Sequence, residues 1–283
     1  MSLFVIQAPH LNASHIEQLA ALACAQGVQT LSRTAVRLLH IQPDTLPDVA
    51  EQCRTLGIDF AHLPQVQPLS SCRILAMDMD STLINIECID ELADWAGRKA
   101  EVAAITEAAM GGKPGGEIAD FSESLTRRVA LLAGVPVSAL EAVYEQRLQL
   151  NAGAARLIES ARKAGLHTLL LSGGFTFFTQ RLQARLGLTQ AHANQLEIEN
   201  GCLTGRVLGR IIDAQAKADI LSTLAQKLGA DASQIIAMGD GANDLKMLAL
   251  ARFGVAYRAK PVVQKQAPFA INSSGLDAVL NWF

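Results

Sequence analysis

A chain of 283 residues with 24 basic and 27 acidic side chains, net charge −3, lacks the positive excess that nucleic acid or an anionic membrane surface selects. Half of its residues are apolar, so it can bury a large core, and its length suits about two domains. Cys24, Cys53, Cys72, Cys88 and Cys202 stand far apart with no Cys-x-x-Cys pair, and the histidines form no helical zinc pair. A disulfide framework and a zinc site are excluded on that pattern, and a reducing, cytoplasmic setting is expected. No run reaches the roughly 18 apolar residues of a membrane span. Met1–Gln7 lacks a basic n-region, so a soluble chain without a leader is expected.

The first seventy residues read as a small α+β unit. Leu3–Gln7 is predicted as a strand, and Ser14 as the cap of a helix whose Ile16, Leu19, Ala20 and Ala23 share one face. Val28–Ile41 is β-rich, as one bent strand or two. Leu46–Leu56 has a helical period and stops at Gly57, and a short strand follows near Ile58–His62. That order predicts a ferredoxin-like or ACT-like module over residues 1–70. Leu63 to Ser71, with two prolines and no periodicity, reads as a linker.

From Arg73 the pattern changes to alternating strands and helices. Strands are predicted at Arg73–Asp78, His167–Ser172, Gln234–Gly239 and Phe253–Tyr257. Helices are predicted at Ala152–Ala164, Phe175–Leu186 and Ala214–Leu228, each followed by a glycine stop. Short apolar strands separated by helices imply an α/β fold, a doubly wound parallel sheet covered on both faces. Asn200-Gly201 marks a hairpin turn within Leu196–Ile211. Glu87 to about Asn151 carries helical signals and no strand, which reads as an inserted helical cap. The expected organisation is therefore a core of residues 71–85 and 150–283 with a cap of residues 86–149.

Met77-Asp-Met-Asp-Ser-Thr-Leu-Ile84 poses the chemical question. Asp78 and Asp80 are two apart, so in a continuing strand they would share a face and repel one another unless a cation lay between them. Ligands of doubly wound sheets bind at the C-terminal strand ends. Three predicted strands end there in polar groups: Asp78-x-Asp80, Ser172-Gly173-Gly174 and Asp240-Gly-Ala-Asn243-Asp244, with Lys217 opening the helix before the third. Carboxylate oxygens suit Mg²⁺, a Gly-Gly backbone at a helix start suits phosphate, and Lys217 adds a point charge. Rival motifs fail by inspection. An EF-hand from Asp78 would need Gly at 83 and Glu at 89, where Leu83 and Ile89 stand. A dinucleotide fingerprint from Gly239 meets Asp244 at its third glycine, and Lys113 is followed by Pro114, so it belongs to no P-loop.

Asp78-Met-Asp80-Ser-Thr82, Ser172-Gly-Gly-Phe175, Lys217 and Gly239-Asp-Gly-Ala-Asn-Asp244 resemble the four motifs of the haloacid dehalogenase superfamily. Within it, Glu87 and Phe121-Ser-Glu-Ser-Leu-Thr-Arg-Arg128-Val129 are similar to the phosphoserine phosphatase branch. The resemblance covers about residues 73–283. It implies Mg²⁺-dependent hydrolysis of a small-molecule substrate, O-phosphoserine, through an aspartyl-phosphate. Asp78 would be the nucleophile and Asp80 the general acid and base. The metal would be held by Asp78, the Asp80 carbonyl and Asp240. Ser172, Gly173, Lys217 and Asn243 would meet the phosphate or substrate, and Glu87 and Arg128 the ammonium and carboxylate of serine. Thr82, Asp244 and Phe121 would support them. Members of the family space Met110 and Phe121 more closely, so Gly111-Gly-Lys-Pro-Gly-Gly116 reads as an insertion bearing on where Glu117 and Phe121 fall. A homodimer through the N-terminal module is compatible with this reading. Two other readings stay open: a phosphatase of another small metabolite, and an amino-acid-binding regulatory module joined to a silent catalytic domain.

Overall fold

The first residues build a four-stranded sheet backed by two helices. The computed structural model describes residues 3–110 and 121–283; the stretch Gly111–Gly116 and Glu117 lie outside the described residues. The elements are β1 (Leu3–Gln7), α1 (Ala13–Leu22), β2 (Gly27–Ser32), β3 (Ala35–Leu39), α2 (Leu46–Leu56) and β4 (Asp59–Leu63). The strands lie in the order β2-β3-β1-β4, all antiparallel, which is the ferredoxin-like arrangement. The cap of α1 is Asn12, not Ser14. The Asn12 side chain accepts the N–H of His15 at 2.8 Å, and Ser14 falls inside the first turn. Gly57 closes α2 with φ +66°, a conformation that favours glycine. Strand alternation divides the apolar residues between two layers. Phe4, Ile6, Val36 and Leu38 meet Leu19, Val49 and Cys53 of the helices, while Val5, Ala61 and Leu63 face the other way and join the main core.

The second sheet has seven strands in the order β11-β10-β9-β5-β6-β7-β8. Its strands are β5 (Ile74–Met77), β6 (His167–Phe175), β7 (Gln190–Glu199), β8 (Cys202–Leu208), β9 (Ile235–Gly239), β10 (Phe253–Tyr257) and β11 (Phe269–Ile271). All neighbours are parallel except the β7–β8 hairpin, which turns at Asn200 and Gly201. Helices α7 (Ala154–Lys163) and α8 (Thr176–Leu186) cover one face, and α9 (Ala214–Leu228) and α10 (Leu245–Leu248) the other. Leu75, Met77, Leu170 and Met238 pack toward Leu157 and Phe178, whereas Ile74, Ala76, Leu169 and Ala237 pack toward Leu221 and Met247. A strand buried on both faces must be apolar at every position, which is why these segments read as unbroken apolar runs.

After β5 the chain makes a single π-type turn, Met79–Leu83, in which Ser81 takes φ +54°. It then enters α3 (Cys88–Trp95), α4 (Lys99–Met110), α5 (Phe121–Ala130) and α6 (Val137–Gln146). The return is fastened at Asn151. Its Nδ2 donates to the carbonyls of Ser81, Thr82 and Ile84 at 3.3, 2.8 and 2.9 Å, and Ile84 pairs antiparallel with Leu150. The helical insertion thus leaves and rejoins the sheet at one point, beside the C-terminal end of β5. A short α11 (Pro261–Gln264) follows β10. Among the described residues no helix is long and apolar enough to cross a membrane.

Candidate active site

Strands β9, β5 and β6 are adjacent, so their C-terminal ends present Asp240, Asp78 and Ser172 side by side. The three motifs that lay far apart along the sequence meet at this edge. Lys217, from the first turn of α9, reaches the same point fully buried. Its Nζ donates to Asp78 Oδ1 at 2.6 Å and to Asp244 Oδ1 at 2.7 Å. Burial alone would drive the proton off this ammonium, but the Asp244 and Asp78 carboxylates outweigh it and hold the Lys217 pKa above its ordinary value. Burial, followed by Asp244 and Asp240, pushes Asp78 up, against the pull of Lys217.

Asp78, Asp240 and Asp244 each offer a carboxylate oxygen within 4.8 Å of the others. Three carboxylates against one ammonium leave a formal excess of two negative charges, and every donor is a hard oxygen. That donor set fits a divalent cation that prefers oxygen ligands. Asp240 is fixed by the Thr82 hydroxyl, which donates to its Oδ1 at 2.9 Å. Burial and then Asp244 push the Asp240 carboxyl up to about 6. Asp244 is oriented by the Gly241 N–H at 3.0 Å as well as by Lys217. The Asn243 side chain folds over the α-carbon of Gly241, where a Cβ would have no room.

Asp80 does not join this cluster through its side chain. Its Oδ1 accepts the N–H of Cys88, at the start of α3, at 3.0 Å, while its Oδ2 packs against the α-carbon of Gly174. Burial raises the Asp80 pKa, and the Cys88 N–H opposes that rise. The Ser172 hydroxyl is fully buried and accepts the Gly174 N–H at 2.8 Å. Phe121, the first residue of α5, lays its ring tip over the α-carbon of Gly173, so any side chain there would collide with it.

The cap contributes the remaining charged groups. Glu87 opens to solvent through the cleft and accepts the Ser81 hydroxyl at 2.6 Å. The surrounding walls desolvate it, and together with the Asp80 charge they push its pKa up to about 8. Arg128 makes one long bond, Nε to the Ser124 carbonyl at 3.4 Å. Its terminal nitrogens have no protein partner among the described residues. Burial lowers its pKa, opposed by Asp90, Glu87 and Asp80, all near enough to act on its charge. Every predicted site residue therefore falls around one cleft. A separate cavity of about 320 Å³, lined by Arg73, His167 and Thr189 among others, sits at the opposite edge of the sheet and holds none of them.

The sequence profile of haloacid dehalogenase-like hydrolases matches residues 75–249. The chain belongs to this family. A phosphoserine phosphatase of Polaromonas sp. is 55% identical over 216 residues, which is 75% of this chain and 90% of that protein. A phosphoserine phosphatase of Haemophilus influenzae is 40% identical over 98% of this chain and 87% of its own. Among solved structures, the unliganded probable phosphoserine phosphatase of Vibrio cholerae superposes with a TM-score of 0.83 at 37% identity, covering 99% of this chain and 85% of that one. Residues 4–49 match a profile described only as a domain of unknown function.

Sequence reasoning passed over three residues that the structure brings to the cleft. Asn151 braces the turn that carries Asp80, Cys88 supplies an N–H to Asp80, and Asn194 holds the loop of Gly173. A lone Asn in a polar stretch and a Cys at a helix start carry no pattern of their own. Their partners are set by tertiary contacts.

Proposed function

We propose that this chain is a phosphoserine phosphatase that hydrolyses O-phosphoserine to serine and inorganic phosphate with Mg²⁺ as cofactor. What carries this reading is the meeting of Asp78, Asp240 and Ser172 at adjacent strand ends around a buried Lys217. An Asp78 oxygen attacks phosphorus, and the phosphoryl group passes to Asp78 as the ester bond to serine breaks. Asp80 gives its proton to the departing serine oxygen; its burial favours the protonated form that this step needs. Asp80 then takes a proton from the water that attacks the aspartyl-phosphate, which releases phosphate and restores Asp78. Mg²⁺ held by Asp78, Asp240 and the Asp80 carbonyl would offset the charge of nucleophile and phosphate. Lys217, the Ser172 hydroxyl and the Gly173-Gly174 backbone bind the phosphate oxygens, with Asn243 at the substrate's edge. Thr82 orients Asp240, and Asp244 orients Lys217.

Selectivity for serine is assigned to the cap. Arg128, whose terminal nitrogens have no protein partner among the described residues, takes the substrate carboxylate, and Glu87 takes the ammonium. The cap is residues 86–149, inserted in a core of residues 71–85 and 150–283, and residues 1–70 form the attached module. The free edge of β2, with Val28 45% exposed, is where two copies would pair into a homodimer. The five free cysteines accord with a cytoplasmic setting.

The test is substrate selectivity. Arg128→Ala should reduce kcat/KM for O-phosphoserine by roughly 2–5 kcal/mol of transition-state stabilisation and leave phosphoethanolamine, which has no carboxylate, nearly unchanged. Equal losses on both substrates would make Arg128 a phosphate ligand or a cap brace and remove this basis for serine specificity.

A further inference from the structure

Asn194 lies on β7, outside every motif, and is 1% exposed. Its side-chain amide is engaged at both its nitrogen and its oxygen by two segments that carry the cleft. Nδ2 donates to the Gly173 carbonyl at 2.8 Å, and Oδ1 accepts the Ile212 N–H at 2.8 Å. Ile212 immediately precedes Asp213, the N-cap of the helix that bears Lys217. One buried amide therefore joins the loop of Ser172 to the origin of Lys217.

The Gly173 carbonyl and the Gly174 N–H belong to one peptide unit. A trans peptide is planar, with C=O and N–H pointing in opposite directions. Holding the carbonyl on the Asn194 side turns the N–H to the other side, where it meets the Ser172 hydroxyl at 2.8 Å beside the Asp80 carboxyl. Glycines on both sides of this plane leave it little intrinsic preference, because neither has a Cβ to resist rotation. A half-turn of the plane would replace an N–H donor with a carbonyl oxygen, which repels an anion.

We propose that Asn194 is a positioning residue: it locks the Gly173–Gly174 peptide plane with its N–H on the Ser172 hydroxyl oxygen, which leaves the hydroxyl's own proton for the phosphate. This rests on reading Ser172-Gly173-Gly174 as the phosphate loop. The carboxylate of Asn194→Asp keeps the shape and the acceptor for Ile212, loses the donor to Gly173 and repels its carbonyl. Asn194→Ala removes both bonds.

Binding of inorganic phosphate to the Mg²⁺-loaded protein, measured by calorimetry well below the melting temperature, separates this role from a merely structural one. Asn194→Asp should weaken phosphate binding by about 10–100-fold and lower kcat/KM for O-phosphoserine by a similar factor, the usual cost of losing an outer-shell orienting partner. Asn194→Ala should weaken both by a smaller factor. Folded variants that bind phosphate within about twofold of wild type, whatever their melting temperature, would overturn the proposal. If neither variant folds, the wild-type Gly174 amide decides: its NMR signal should shift on phosphate addition, and an unmoved signal overturns the assignment. Failure of wild type to turn over O-phosphoserine would count against the substrate reading, and the phosphate measurements would still decide the role of Asn194.

Discussion

Lys217 and Glu87 are charged groups in opposite electrostatic positions. Taking an ammonium fully out of water costs several kcal/mol, and only close, well-oriented carboxylates offset it. Lys217 has two, at 2.6 and 2.7 Å. Glu87 has a hydroxyl and a set of like charges. Its pKa is raised from 4.5 to about 8, chiefly by desolvation, so over that interval the folded protein binds a proton that the unfolded chain has released. Stability contributed by protonated Glu87 is full below about pH 4.5 and lost as the pH rises through about 8. Asp240, raised to about 6, acts in the same direction over a lower interval. The melting temperature of the metal-free protein should therefore fall as the pH is raised across this range, and Glu87→Gln should flatten the upper part of the slope. A slope unchanged by Glu87→Gln would mean that Glu87 is ionised throughout. If Glu87 takes the substrate ammonium as proposed, saturating O-phosphoserine should flatten the same region.

At the scale of elements, β5, β6, β9 and β10 were legible because burial on both faces requires an apolar residue at every position and the run breaks at Asp78, Ser172 and Asp240. The break and the chemistry are the same residues, so locating where the apolar runs stop located the cleft, although β6 itself continues past Ser172 to Phe175. Helices α2, α8 and α9 were bounded by Gly57, Gly187 and Gly229, each in the left-handed conformation. Strand β7 was only half visible. Gln190 to Asn194 alternates only alanines with polar residues, a weak apolar signal, and its parallel pairing to β6 is a non-local contact with no local signature. Strand β11 is three residues long and depends on its neighbour β10. The cap of α1 was misplaced because Asn12 and Ser14 both suit that role, and only the backbone decides between them: Asn12 is extended at φ −104°, ψ 166°. The π-type turn after β5 was also hidden. Its left-handed Ser81 is held by Asn151, which lies on the far side of the helical insertion.

For the whole molecule, the N-terminal sheet is an attached layer rather than a contributor to the cleft. Val5, Ala61 and Leu63 enter the main core, and the Asp59 carboxylate accepts the N–H groups of Asn272, Ser273 and Ser274 at 2.7 to 3.2 Å. The Gln7 and Arg37 side chains meet Asn281 from the same side. A chain beginning at Ser70 would expose that apolar surface and release three N–H groups from their acceptor, so its melting temperature should drop clearly. Its kcat should stay near that of the full chain, since Asp78 and every other group of the cleft lie beyond the cut. A folded shortened chain without activity would show that residues 1–69 complete the site. Phosphoryl transfer through Asp78 is tested by rapid acid quenching during turnover of O-phosphoserine with Mg²⁺, followed by digestion and mass spectrometry. A phosphoryl group on Asp78, lost together with turnover in Asp78→Asn, is the predicted result; steady turnover by Asp78→Asn, or a phosphoryl group on another residue, would contradict it.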